Sequence, residues 1–213
     1  MKRNGLSSPT LALLIIGVFL LTAAAVVATQ AGGPTRTNST TTTASNSASV
    51  SSIQGLRLDV GLSTTVLQPG QTLQVSVSEY NSLGTANNVS ASKQWPVQVA
   101  LGACPNLDMQ PFGIAVYSGH VGAQNLSQAT QLRIFPLAPC PLLMRLVTGY
   151  YFQPSSASAT VLPSAGGSPS PMSANVNVSA IYTEQAKPLP QGAYTLVAAD
   201  EWGAVAFLYF TVA

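Results

Sequence analysis

This sequence contains few charged side chains. Asp, Glu, Lys and Arg make up 7% of its 213 residues, against roughly 25% in an ordinary soluble domain. Lys2 and Arg3 are two of the eight basic residues, which leaves six basic against six acidic residues from Gly33 onward. Nucleic-acid binding depends on a basic stripe that neutralises phosphates, and no such run exists here. Nucleic acid is therefore excluded as a partner.

Side chains that bind metals are equally scarce. The sequence has one histidine, His120, and two cysteines, Cys104 and Cys140. A blue-copper centre needs two imidazoles and a thiolate, and a structural zinc site needs four thiolate or imidazole ligands. An unusual copper centre would have to use His120, Met109 or Met144. We therefore expect no metal and no cofactor.

Groupings of catalytic side chains are also missing. Ser118 and His120 lie in the glycine-containing turn "YSGH", and no G-x-S-x-G motif occurs. Asp200 and Glu201 are adjacent in "ADEWG". Consecutive strand residues point to opposite faces, and the following Gly203 favours a hairpin turn. The sequence therefore predicts a protein that is not an enzyme.

An apolar segment lies near the N-terminus. Residues 11–28 contain one polar side chain and no charge. A run of about 20 apolar residues can cross a bilayer as a helix, and Lys2 and Arg3 before it would stay inside by the positive-inside rule. We expect a cytoplasmic N-terminus at 1–10, a single-pass transmembrane helix at 11–31 and an extracellular C-terminal domain.

Two alternatives to a retained anchor stay open. The triplets at 26–28 and 29–31 both resemble small-residue cleavage sites, and cleavage there would secrete the domain. The start "KRNGLSSPTLALLII" resembles that of archaeal pilin-like precursors, which are cut after the glycine, here Gly5. This resemblance implies a filament subunit that begins at Leu6, although the Gly-Gly-Pro at 32–34 would end the helix early.

A linker rich in serine and threonine follows at 32–54. It has too few apolar side chains to offset the entropy of ordering, so we expect a disordered stalk, either O-glycosylated or bare. Acceptor motifs for N-glycosylation begin at Asn38, Asn88, Asn125 and Asn177.

Apolar and polar residues alternate through the rest of the chain. The pattern is clearest in "LRLDVGL", "QTLQVSVSEY" and "SANVNVSAIYT", and a period of two predicts half-buried strands of antiparallel sheets. Further strands are expected at 97–101, 113–117, 131–135, 142–147, 194–198 and 204–212. Because the apolar faces of such strands must cover one another, we expect an all-β domain at 55–213, an antiparallel β-sandwich.

Two stretches of this body carry a resemblance to a known group. "LQPGQTLQVSVSEYNSLG" at 67–84 and "GAYTLVAADEWGAVAFLYFTV" at 192–212 resemble the early and final strands of prokaryotic, in particular archaeal, membrane-anchored extracellular immunoglobulin-like β-sandwich proteins. The resemblance implies an immunoglobulin-like fold and an outside location, but no activity.

The cysteines are expected to form a staple. An even count in an oxidising exterior favours a disulfide between Cys104 and Cys140, which would contribute roughly 3.5 to 4 kcal/mol in the chain-entropy model. It would clamp the intervening excursion onto the body. Phe112, Tyr117 and His120 lie in that excursion and are the expected binding surface.

Residues 153–171 form a long stretch rich in Ser, Gly and Pro, which predicts a flexible surface insertion, with a binding element as the alternative.

Together these features predict a non-enzymatic, membrane-anchored cell-surface protein whose β-sandwich serves binding, adhesion or envelope structure. Its partners would be other cell-surface or membrane proteins. An extracytoplasmic accessory subunit of a membrane enzyme or transport complex would share the same features, and a pilin-like filament subunit is the third alternative. Six carboxylates also leave few ion pairs to lose on acidification, so we expect tolerance of acid.

Overall fold

The computed structural model describes residues 45–92, 94–103, 110–138, 147–163 and 167–213. These residues belong to one compact unit. Residues 1–44, which include the expected membrane segment and most of the expected stalk, lie outside the described residues. Within the described ranges, no helix is long and apolar enough to cross a membrane.

Strands dominate the described part of the chain and no α-helix occurs in it, which confirms the all-β prediction. The strands are β1 (Ser47–Ser51), β2 (Leu56–Leu62), β3 (Val66–Leu67), β4 (Leu73–Asn81), β5 (Asn87–Ser90), β6 (Phe112–Ser118), β7 (Gln131–Leu132), β8 (Gly149–Phe152), β9 (Ser158–Leu162), β10 (Ser170–Pro171), β11 (Ser173–Val178), β12 (Ala180–Tyr182), β13 (Ala186–Pro188), β14 (Gly192–Asp200) and β15 (Val205–Val212). A short 3-10 turn lies at Leu126–Gln128.

These strands form three sheets and one two-stranded ribbon. Sheet 1 has the order β1-β2-β4-β11, sheet 2 the order β3-β15-β14-β6-β7, and sheet 3 the order β10-β9-β8-β5, while β12 and β13 form the ribbon. The strand pairs are antiparallel, as the alternation predicted, apart from the parallel pair of β3 and β15.

Sheets 1 and 2 share one hydrophobic core because each presents alternate side chains to it. Along β2 and β4 the buried residues alternate with exposed or half-buried ones, as the sequence pattern predicted. Sheet 2 contributes Leu196 and Phe210 to the same cluster, and Phe152 enters it from sheet 3. Fully burying a large apolar side chain contributes roughly 1.5 to 3 kcal/mol, so this core is the main attraction between the sheets.

The folded body begins earlier than the sequence predicted. β1 lies inside the segment assigned to the disordered linker, and it pairs with β2 over five residues, from Ser47 opposite Gly61 to Ser51 opposite Arg57. Ala48 and Val50 alternate with the serines and pack against the core. Two small apolar side chains in a serine-rich segment predict a strand only weakly. β1 forms because its backbone pairs with β2.

The expected insertion at 153–171 contains the strand β9 and the two-residue strand β10. β9 pairs with β8 from Ala159 opposite Phe152 to Leu162 opposite Gly149, and Ala159 is buried in the core. At 158–162 the prediction of a loop was wrong, because the Ser, Gly and Pro residues on both sides obscure the pattern of this short strand. In the opposite direction, the strand expected at 97–101 reduces to a bridge between Ala100 and Ile114.

Gly149 offers a test of the contact between sheet 3 strands β8 and β5. A Cβ added to Gly149 would lie 2.6 Å from the carbonyl oxygen of Val89, whereas one added to Gly84 would meet nothing within 4 Å. We expect Gly149→Ala to lower the free energy of unfolding by about 1 to 3 kcal/mol through overpacking, and Gly84→Ala to change it by less than about 0.5 kcal/mol. Urea denaturation of both variants measures this, and equal effects would contradict the close approach.

Candidate binding surface

The structure places the three expected surface residues in three different environments. Phe112 is 2% exposed and belongs to the core between the sheets, whereas Tyr117 is 3% exposed and packs on the outer side of sheet 2. Phe112 and Tyr117 are five positions apart on one strand, so they point to opposite faces. This difference could have been predicted from the sequence. His120 is exposed. Phe112 therefore does not share a surface with the other two residues.

The outer side of sheet 2 is covered by two loops instead of another sheet. A small second cluster of Ala115, Tyr117, Val121 and Val197 lies on this side. Side chains from the segment before Leu101 and from the loop that contains the 3-10 turn pack over it, including Val97, Val99 and Leu126. Between these loops is an open groove of about 450 Å³, which we call the Tyr117 groove.

The Tyr117 groove combines apolar walls with a polar floor. Pro96, Val97 and Leu126 line its sides. The Tyr117 hydroxyl donates to Oε1 of Gln131 at 3.4 Å, and Nε2 of Gln131 donates to the carbonyl oxygen of Gln98 at 3.0 Å. Burial raises the pKa of Tyr117 above its ordinary value, so the hydroxyl stays protonated. The volume of the Tyr117 groove falls within the range of small-molecule sites, about 300 to 1,000 Å³.

The turn that carries His120 is fixed to sheet 2. The hydroxyl of Thr195 donates to the carbonyl oxygen of Gly119 at 2.7 Å and accepts from the backbone N–H of Val121 at 2.8 Å. The His120 ring lies 5.1 Å from the ring of Tyr209, measured between centroids. These contacts hold an exposed imidazole and a tyrosine side by side on the same sheet as the groove. Among the described residues, no group of three His, Cys, Asp or Glu side chains could hold a metal ion.

Asp200 ends β14 and Glu201 begins the turn of the β14–β15 hairpin, where the sequence predicted a turn. Oδ1 of Asp200 accepts from the backbone N–H groups of Trp202 and Ala204 at 2.9 and 2.8 Å, and Oδ2 accepts from the Ser52 hydroxyl. The carboxylate thus closes the β14–β15 hairpin and ties it to the chain just after β1. The role of Asp200 is structural, because its carboxylate oxygens are occupied by three hydrogen-bond donors of the protein.

The tryptophans divide between core rim and surface. Trp202 packs edge-on against Tyr150, with ring centroids 5.6 Å apart, and its Nε1 donates to the carbonyl oxygen of Ser90 at 2.8 Å. Burial, with Glu201 as a second cause, raises the pKa of Tyr150. Trp95 is 40% exposed and is among the largest apolar side chains on the described surface.

A buried carboxyl group that the sequence reading missed lies at the inner face of sheet 1. Glu79 is 0% exposed, and neither of its carboxyl oxygens has a hydrogen-bond partner among the described residues. Burial first, and then the charges of Asp200 and Asp59, raise its pKa to about 9. The alternation along β4 could have indicated this burial, because Glu79 follows Leu73, Val75 and Val77 at the next inward-pointing position.

The acceptor asparagines are on the surface wherever the structure describes them. Asn88, Asn125 and Asn177 are exposed, on β5, at the start of the 3-10 turn and on β11. Asn125 also accepts a hydrogen bond at Oδ1 from the backbone N–H of Gly122 at 2.7 Å. Asn38 and both cysteines lie outside the described residues, so the disulfide between Cys104 and Cys140 stays a prediction.

Comparison with known proteins gives no relative. No protein-family model, no curated protein and no solved structure matches this chain. The geometry described above is therefore the basis for any statement about function.

The buried carboxyl of Glu79 predicts an inverted pH dependence of stability. Its pKa is about 9 in the folded state and near 4.3 in an unfolded chain. Between these values the folded state holds a proton that the unfolded state releases, so stability is highest below the lower value and falls as pH rises towards 9. We expect a loss of up to about 4 kcal/mol between pH 5 and pH 8, at about 1.4 kcal/mol per pH unit.

Thermal unfolding across this pH range measures the slope. Glu79→Gln replaces the acid by a neutral side chain of the same shape and should flatten it, whereas Glu184→Gln, at an exposed position, should leave it unchanged. A slope that survives Glu79→Gln would show that other groups cause it.

Proposed function

We propose that this chain is a non-enzymatic, membrane-anchored cell-surface protein, whose immunoglobulin-like β-sandwich binds a partner on the outer side of sheet 2. The apolar segment at 11–31 and the serine- and threonine-rich linker support the anchor and the outside location. The Tyr117 groove carries the binding part of the proposal. The partner would be another cell-surface or membrane protein.

The order of the strands supports the immunoglobulin-like assignment. In that fold, strands A, B and E are neighbours in one sheet, and strands C, F and G are neighbours in the other. β2, β4 and β11 have the first arrangement, and β6, β14 and β15 have the second. Sheet 3 then combines β5, which lies between strands B and C in the chain, with β8, β9 and β10, which lie between strands C and E.

A hydrogen bond at the start of β14 adds a second argument. The hydroxyl of Tyr194 donates to the carbonyl oxygen of Pro190 at 2.6 Å. A tyrosine near the start of strand F that bonds to the backbone a few residues upstream is the tyrosine corner of immunoglobulin-like domains. The cysteine pair that links strands B and F in antibody domains has no counterpart here, because β4 and β14 contain no cysteine.

The position of the groove supports binding over a structural role alone. Its floor is a strand of sheet 2 and its walls are loops, and binding residues are commonly found on loops that a rigid scaffold positions. Apolar walls with a few convergent polar groups are also the usual composition of ligand sites.

A pair of substitutions in one loop tests this role. Ala123 lines the groove and the adjacent Gln124 does not, and both are exposed. We expect Ala123→Trp to fill the groove and reduce partner recovery at least tenfold in affinity capture of the full chain in mild detergent, measured by quantitative mass spectrometry. Gln124→Trp should leave recovery unchanged.

If both variants keep the same partners, the groove is not the binding site. Recovery of a multi-spanning oxidoreductase or transporter in place of a surface protein would favour the alternative of an accessory subunit.

The state of the N-terminus tests the anchor separately. We expect the mature chain to start at Met1, because an uncharged run of 18 residues with one polar side chain exceeds the usual 7 to 15 of a secretory signal. N-terminal sequencing of the protein from its membrane fraction measures this. A start at Leu6 would indicate a pilin-like subunit, and a start between residues 29 and 32 would indicate a released protein.

A further inference from the structure

The middle of the outer face of sheet 1 carries small side chains, most of which are polar. Two rows of residues cross the four strands on this face. The first row is Ser49, Asp59, Ser78 and Ser173, and the second is Ser47, Gly61, Ser76 and Asn175. With neighbouring strands about 4.8 Å apart, each row is about 14 Å long.

Larger side chains border these rows, so they form a shallow trough. Arg57 and Tyr80 stand on one side, with the guanidinium of Arg57 5.0 Å above the Tyr80 ring, and Gln74 stands on the other. Gly61 keeps the floor low, since a Cβ there would lie 2.8 Å from Oγ of Ser76. The trough has a volume of about 310 Å³.

Asn177 lies at the end of this trough. It is paired with Gln74 and is exposed on the same face as Asn175, about 6.8 Å further along β11. It is also the acceptor of the motif Asn177-Val178-Ser179. An N-linked sugar on Asn177 would therefore start next to the second row, on an edge strand of the sheet.

We propose that Asn177 carries an N-linked glycan and that the innermost sugars lie in the trough across sheet 1. The proposal rests on the proposed function, because the modification needs an exported chain. In the reaction, the side-chain nitrogen of Asn177 forms a bond to the anomeric carbon of a lipid-pyrophosphate-linked oligosaccharide. The bond from that carbon to the pyrophosphate oxygen breaks, the lipid pyrophosphate leaves, and a base takes the amide proton.

The chemistry of the trough suits a neutral sugar. Serine hydroxyls and the Asn175 amide both donate and accept hydrogen bonds, as the hydroxyl and acetamido groups of a sugar do. The charges nearest to it pair with each other, because Nε of Arg57 donates to Oδ1 of Asp59 at 2.8 Å. A neutral glycan would therefore exchange hydrogen bonds with water for hydrogen bonds with the protein, without desolvating an unpaired charge.

Covalent attachment explains how a sugar would occupy this trough although no aromatic side chain of the described residues lies under it for the sugar ring to stack on. Hydroxyl contacts with solvent-exposed partners contribute little net affinity, so a free sugar would bind weakly. A sugar tethered at the end of the trough is present at an effective concentration in the millimolar range. The tether thus makes weak polar contacts sufficient.

Hydrogen exchange in the full chain, produced in a yeast secretory host, tests the proposal. Ser179→Ala removes the acceptor motif and keeps Asn177, and Ser90→Ala does the same for Asn88, which is also exposed on an edge strand. We expect the amides of β1 to exchange at least threefold faster in Ser179→Ala than in the parent. Ser90→Ala should match the parent. β1 is informative because it lies at the far end of the trough from Asn177.

A second variant separates occupancy of the trough from attachment of the glycan. Ser76→Phe fills the floor at an exposed position and leaves the acceptor motif intact. We expect Ser76→Phe and the double variant Ser76→Phe/Ser179→Ala to show the same exchange in β1, since the glycan no longer reaches it. Melting temperatures of all variants verify that each is folded.

Site-resolved mass spectrometry of the same samples separates the failures. If Asn88 and Asn125 are modified and Asn177 is not, the glycan at Asn177 is refuted and the proposed export stands. If Asn177 is modified but Ser179→Ala leaves exchange in β1 unchanged, the trough does not hold the sugar. If none of the acceptors is modified, the glycan at Asn177 is refuted and no sign of export is found, which counts against the proposed function and this inference together.

Discussion

The burial of the inner faces of sheets 1 and 2 against each other is the interaction on which the rest of this structure depends. Leu58, Leu196 and Phe210 are at most 2% exposed in one continuous cluster, while the surface ion pair of Arg57 and Asp59 would contribute at most about 1 kcal/mol. With so few charges in the sequence, stability comes from apolar burial and from backbone pairing. Hydroxyl and amide groups, in place of charged groups, supply most of the polar surface that water solvates.

Polar groups enter this core at one end, where the β14–β15 hairpin meets sheet 1. Asp200 is compatible with burial because three donors of the protein satisfy its oxygens. Glu79 is compatible with burial because it holds a proton, as its raised pKa indicates. The same burial that destabilises the ionised acid favours the folded state at low pH, which agrees with the acid tolerance expected from the scarcity of carboxylates.

The two outer faces have opposite chemistry, and this difference separates their roles. The outer face of sheet 2 is apolar enough to require cover, and the covering loops leave the Tyr117 groove between them. The outer face of sheet 1 needs no cover, because most of its side chains are polar and water solvates them well. The proposed partner site and the proposed glycan at Asn177 therefore lie on opposite faces of the body.

The sequence by itself determined the local features: the strands β2, β4, β11, β14 and β15 and the turn after Asp200. Alternation of side chains is a local property, so a period of two can be read without a partner strand. Only the tertiary structure decided which strands pair and what covers each face. β1 and β9 depend on pairing with distant residues, and the Tyr117 groove joins Val97, Tyr117 and Gln131 from separate segments. Glu79 depends on both the sequence and the tertiary structure. The alternation along β4 predicts that its side chain points inward, but its burial near Asp200 requires sheet 2.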